Sequence, residues 1–195
     1  MRSVFLAVLL MSLVAGVSAC PGCGAGWEIY RNEICGFELY YPAGGVVAWQ
    51  THTGARIDLP FAPGTTLREK YLLIEVGAGA ADLPSPPAEA VEVCGRTFYL
   101  EAGWEGAVGS IYDYFRYTTV LENGELISLT FVLHSVNPCM FDSPPLAFDR
   151  EQETAVFQEI ILSFCTFPGR RVDRGRPSRP SPVAWMEWGK GEASS

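Results

Sequence analysis

The chain has 195 residues, 48% of them hydrophobic, 12% aromatic and 18% charged, with six cysteines and a formal net charge of −8. So apolar a composition, with no glycine or proline period, excludes a disordered chain and a collagen-like fibre, and the length suits one domain with its own core. An acidic chain repels phosphate backbones, so no nucleic acid is expected among its partners.

In chain order, residues 1–19 hold one basic side chain, Arg2, then an apolar run over positions 4–17 that ends in small residues. A transmembrane helix takes about 20 apolar residues, so this shorter run reads as a secretory signal peptide. At its end, Val17-Ser18-Ala19-Cys20 resembles a bacterial lipobox, in which the cysteine sulfur receives a diacylglycerol and the cysteine becomes the first residue after cleavage. Lipidation at Cys20 predicts an envelope protein, membrane-anchored through its N-terminal lipid and facing the periplasm or the exterior. The alternative is an ordinary cleavage site, with Cys20 the first residue of a soluble secreted protein.

Cys20-Pro21-Gly22-Cys23 also has the C-x-x-C spacing. A redox pair belongs at a helix N-terminus, where the dipole lowers the thiol pKa, and here Gly24-Ala25-Gly26 follows instead. Structural zinc wants four ligands, and neither a second C-x-x-C nor an H-x3-H pair is present, so no metal and no cofactor is expected. In an oxidising compartment Cys35, Cys94, Cys139 and Cys165 are the disulfide candidates, in any of three connectivities. Cys23, in a flexible leader over residues 20–28, is then the spare thiol. Without lipidation the six cysteines allow three bridges.

Residues 36–41 alternate Phe37, Leu39 and Tyr41 with Glu38 and Tyr40 and stop at Pro42. Residues 46–50 are a second short β-rich run beyond Gly44-Gly45, and the two runs are expected to pair as a hairpin. Residues 69–76 place Leu72, Ile74 and Val76 on one face, residues 78–90 read as a surface loop, and residues 96–102 alternate again. Residues 110–121 and 126–134 flank Glu122-Asn123-Gly124-Glu125, where Asn-Gly predicts a hairpin with a type I′ turn.

From Asp149 the period changes to that of a helix. Asp149 is the expected N-cap with Gln152 three residues on, and Val156, Phe157, Ile160, Ile161 and Phe164 form the apolar stripe. Glu151, Glu153 and Glu159 are expected to face water. The expected fold class is α+β, an antiparallel sheet of about five to seven strands packed against a C-terminal helix.

Tyr30-x-Asn32-x-x-x-Gly36-Phe37-x-x-x-Tyr41-Pro42 resembles the opening strand of PsbP-like domains and of many bacterial lipoproteins. Residues 131–135 and 155–164 are similar to the last strand and helix of that group. The resemblance implies a PsbP-like α/β sandwich over residues 29–167 that serves as a binding or assembly module without catalysis. Cys35 and Cys165 depart from that pattern, and it supplies no catalytic residue to carry over.

Two histidines are present. His52 sits in a polar turn and is expected to be solvated. His134 ends a strand, and a pair with Asp142 or Asp149 near Ser135 is conceivable, but the plainer expectation is a hydrogen bond to a loop carbonyl. No G-x-S-x-G, H-E-x-x-H, P-loop or G-x-G-x-x-G is found. On a strand, Tyr112, Tyr114 and Arg116 share one face and Asp113, Phe115 and Tyr117 the other. Phenols beside a guanidinium make the first face a candidate surface for a sugar or a protein, set against the reading that aromatics are simply good strand formers.

The charge is unevenly divided. Residues 20–167 carry nineteen acidic and seven basic side chains, and residues 168–195 carry three and six with four prolines. That tail is expected to be disordered, solvated or laid across its own acidic domain, with anionic lipid as the alternative contact. The sequence therefore predicts a non-catalytic, lipid-anchored binding or assembly module of the bacterial envelope, its ligand an envelope protein or a glycan. A soluble secreted hydrolase or hydrolase inhibitor is the alternative.

Overall fold

A computed structural model of the chain describes residues 25–77, 88–107 and 109–169. The signal peptide, Cys20, Cys23, most of the 78–90 loop and the tail beyond Gly169 lie outside those residues.

Among the described residues, ten strands and one α-helix make an α+β fold built from two antiparallel sheets. The smaller sheet has the order β1-β2-β10, with β1 Trp27–Asn32, β2 Phe37–Pro42 and β10 Cys165–Thr166. The larger runs β3-β4-β5-β9-β8-β7-β6, with β3 Val46–Gln50, β4 Gly54–Asp58, β5 Leu67–Gly77, β6 Glu89–Val93, β7 Arg96–Ala107, β8 Ser110–Val120 and β9 Leu126–Val136. Helix α1 spans Arg150–Leu162 after a short 3-10 turn at Pro138–Met140.

Both runs of the expected 36–50 hairpin are strands, but they do not pair. β2 pairs with β1, and β3 pairs with β4 in the other sheet. Gly44, at φ +90°, lies in the crossing between them, and Gly45 N–H bonds the Pro42 carbonyl at 3.0 Å. A Cβ at Gly45 would stand 2.8 Å from the Tyr41 ring, so the chain can fold back here only as glycine. β2 buries Phe37, Leu39 and Tyr41 while β3 is largely exposed, so the two strands present mismatched surfaces.

The 122–125 hairpin is present, with Val120 opposite Leu126, but the turn differs from the expected type. Gly124 N–H bonds Leu121 O at 2.9 Å, Leu121 N–H bonds Glu125 O at 2.8 Å, and Gly124 has the only positive φ in the turn. This is a three-residue loop ending in a left-handed glycine, and it needs positive φ at one position where a type I′ turn needs two.

Asp149 caps α1, its Oδ1 accepting from Gln152 N–H at 3.0 Å. Phe157 stacks on Phe131 of β9 at 4.5 Å, and Phe164 meets Phe98 of β7 edge-on at 5.4 Å while stacking on Phe37 of β2 at 5.8 Å. Phe164 thus joins the two sheets through one ring, which is why a residue past the helix end is buried.

Glu153 does not face water as expected. It is buried, its Oε2 2.7 Å from Lys70 Nζ of β5 and its Oε1 accepting from Ala62 N–H at 3.2 Å. Burial pushes the Lys70 ammonium below its ordinary range, and Glu153 opposes that shift. A helical wheel gives Glu153 a place beside Phe157 but cannot reveal the cation waiting on a strand 83 residues away.

Candidate functional site

The large sheet has one face against the helix and a second, open face that no described helix or strand covers, and β8 shows the division most clearly. Asp113, Phe115 and Tyr117 face the helix side: Arg150 Nη2 lies 2.9 Å from Asp113, Phe115 packs by Phe157, and Tyr117 meets Phe131 edge-on. Tyr112, Tyr114 and Arg116 point the other way and line a groove of about 630 Å³ together with Tyr71, Val132 and Glu105. The three residues singled out from the sequence therefore line one groove.

Cross-strand register assembles that face in rows. One row reads Asp58, Tyr71, Val132, Tyr114 and Gly103 across β4, β5, β9, β8 and β7. A Cβ on Gly103 would come within 2.6 Å of Tyr114 Cζ, so the phenol lies flat over a glycine that no other residue can replace without moving it. Arg56 covers Tyr71 at 4.0 Å from its centroid and bonds Asp58 at 2.6 Å. Burial raises the Tyr71 phenol above its ordinary pKa, with the nearby Arg56 opposing the shift. In the next row Arg116 stands 3.6 Å from Glu101, and the Thr130 hydroxyl is buried without a hydrogen-bond partner.

The third row holds Glu69, His134 and Tyr112. His134 stacks on the Tyr112 ring at 4.3 Å and 9°. Its Nε2 is 3.1 Å from Ser110 Oγ, and its Nδ1 is 3.4 Å from Glu69 Oε2. The loop carbonyl and the Asp142 or Asp149 partner expected from the sequence are therefore replaced by a hydroxyl and a carboxylate from neighbouring strands. Ser135 is buried, and on β9 it alternates to the opposite face. Glu69 escaped the sequence reading because only the β5–β9 register, with its irregularity between Leu67 and Glu69, brings it to His134.

His52 is exposed in the β3–β4 turn, and its carbonyl accepts from Asn32 Nδ2 and Cys35 Sγ, each at 3.3 Å. The cysteine candidates are spread over the molecule. Cys35 is buried between β1 and β2, Cys139 is exposed in the 3-10 turn, and no S–S bond joins two described cysteines. Cys94, in the β6–β7 turn at φ +49°, bonds the Leu162 carbonyl at 3.4 Å, which sets it at the end of α1 from which Cys165 follows. Among the described residues no cluster of His, Cys, Asp and Glu is arranged to hold a metal ion, and no helix is long and apolar enough to cross a membrane.

These elements define an α+β protein of antiparallel sheets whose larger sheet carries one covered and one open, tyrosine-rich face. Among solved structures, a protein of Bacteroides thetaiotaomicron is similar over 73% of this chain, with a TM-score of 0.50 and 10% identity. This chain spans about half, 49%, of that protein's length, and the likeness is one of fold alone. LpqN of Mycobacterium tuberculosis, described as involved in cell envelope biogenesis, is similar over 73% of this chain and 91% of its own, with a TM-score of 0.45 and 13% identity. A likeness that loose carries no argument about this chain. No protein-family model matches the sequence, and no curated protein does.

Proposed function

We propose that the chain is a non-catalytic binding module of the bacterial envelope, a PsbP-like sandwich anchored through lipid on Cys20, with the open sheet face as its ligand surface. One observation carries the ligand surface: Tyr71 of β5 and Tyr112, Tyr114 and Arg116 of β8 line one groove on the sheet face away from the helix. Rigid phenols offer large contact area at little entropic cost, and a guanidinium adds a directional donor. The lipobox supports the anchor, and Cys20→Ser is expected to move the protein from the membrane fraction to the soluble one.

The test of the surface uses a panel of glycans and short charged peptides against the full chain. Tyr112→Ser with Tyr114→Ser should abolish whatever binding is found while leaving the melting temperature within a few degrees. Retained binding, or a chain that no longer folds, overturns the assignment.

The order Ser110, His134 and Glu69 favours the hydrolase as second reading, since hydroxyl, imidazole and carboxylate stand in the order of a nucleophilic triad, although His134 Nδ1 makes no hydrogen bond to Glu69. Such a site also needs N–H donors aimed at the developing oxyanion, whereas Ser110 lies within strands whose N–H groups serve the ladder. Covalent labelling of Ser110 by a fluorophosphonate, lost in Ser110→Ala, would establish this reading over the first.

A further inference from the structure

The groove is acidic as well as aromatic. Asp58, Glu69, Glu75, Glu101 and Glu105 stand on the open face against Arg56 and Arg116, and Glu75 and Glu105 make no ion pair among the described residues. The opposite charge lies in the same chain. Arg174-Gly175-Arg176-Pro177-Ser178-Arg179-Pro180-Ser181-Pro182 has three arginines, three prolines and no acid. Taking the open face as a ligand surface, as above, we infer that residues 174–182 of the chain's own tail are its ligand, laid across the tyrosines as a polyproline II strand.

Spacing supports this occupant. Polyproline II repeats every three residues, about 9.3 Å, and two strand spacings of a sheet come to about 9.6 Å. Tyr71 on β5 and Tyr114 on β8 are two spacings apart with Val132 between them, and Pro177 and Pro180 are three residues apart. The repeat thus matches the spacing of the strands. Arg56 covers Tyr71, and the Tyr114 ring, lying over Gly103 of β7, is the phenol offered to a proline, in the manner of aromatic grooves that take proline-rich segments. Arg176 and Arg179 share the same repeat and fall along the acidic rim, where a guanidinium can pair with a carboxylate and lie on a ring.

Reach supports it too. A Cβ on Gly169 would be 2.7 Å from the Ile34 carbonyl, so the tail leaves the domain beside Ile34. Ile34 lines a second groove with Thr51 and His52, at the edge of the large sheet. From that turn to Tyr114 is four strand spacings across and four residues along, about 24 Å on the diagonal. The thirteen residues 170–182 span about 40 Å at 3.1 Å per residue, so the tail reaches the groove with chain to spare.

The test compares backbone amide spectra of the full chain with those of Arg174→Glu, Arg176→Glu and Arg179→Glu combined. Amides of residues 112–116 and 130–134 should shift, those of α1 should not, and the difference should be independent of protein concentration. A synthetic peptide of residues 170–184 added to the triple variant should restore the original positions saturably. Its affinity should fall about tenfold with Tyr112→Ser and Tyr114→Ser, and again when salt rises from about 0.05 to 0.5 M. Shifts confined to the neighbourhood of Gly169, or shifts that appear only as concentration rises, overturn the inference. If the tail fails both arms while a glycan from the panel still binds through Tyr112 and Tyr114, the surface assignment stands and only its occupant is wrong.

Discussion

The two faces of the large sheet are read from the same strands, yet they choose aromatic residues of different chemistry. The helix side holds Phe98, Phe115 and Phe131 with the buried Tyr117 beside them, and the open side holds Tyr71, Tyr112 and Tyr114. Phenylalanine has no group that wants water, so it belongs where α1 and the small sheet seal the face. A phenol keeps a polar tip that needs water or a hydrogen-bond partner, which a wet surface supplies without further arrangement. The pattern implies that stability resides on one face and recognition on the other.

The largest effect expected comes from breaking the covered face. Phe157 is 1% exposed and touches both Phe131 and Phe115, so Phe157→Ala leaves a ring-sized void between helix and sheet. The cost should be about 3 to 5 kcal/mol, read as a fall in the denaturation midpoint. A loss below about 1 kcal/mol would show that the helix is not part of the cooperative core.

Next in size is the buried ion pair of Lys70 and Glu153, whose side chains are 4% and 8% exposed. Glu153→Gln leaves the Lys70 ammonium buried without its counter-charge and should cost about 3 kcal/mol. Replacing both, with Lys70→Met and Glu153→Leu, should recover most of that loss, because the desolvation of two charges is removed along with their attraction. Urea unfolding of the single and double variants completes the cycle. A double variant no more stable than Glu153→Gln would mean that the Ala62 N–H bond, and not the charge, is what Glu153 supplies.

The sequence was most legible where period-2 alternation ran long. Residues 110–121 and 126–134 gave β8 and β9 with their faces assigned, and Tyr112, Tyr114 and Arg116 followed from that alternation alone. It was least legible where a strand is short or its inward positions are small. β4 turns only Ala55 and Ile57 inward, and β6 reads Glu-Ala-Val-Glu-Val, so neither carries a long apolar alternation of its own. The 46–50 run was recognised as a strand but given the wrong partner, since pairing depends on a glycine crossing that local pattern does not encode. His134's partners were missed for the same reason: Glu69, Ser110 and Tyr112 come together through register between strands up to 65 positions apart in sequence.

The smallest expected change sharpens the comparison most. Gly103 lies within β7, where alanine loses less conformational entropy on folding, and on a covered face with room for a methyl the exchange would gain about 0.5 to 1 kcal/mol. On the open face the new methyl meets Tyr114, which is only half-buried and can swing toward solvent. The displaced phenol gives up cross-strand contact worth about 0.2 to 1 kcal/mol, so Gly103→Ala should leave stability almost unchanged. Ligand affinity should nevertheless fall, because the ring no longer lies flat in the groove. Melting temperature and the ring resonances of Tyr114, measured on the same sample, separate the two effects. A clear loss of stability would mean that Tyr114 is held as tightly as Phe115 on the opposite face, and that the open face is structural after all.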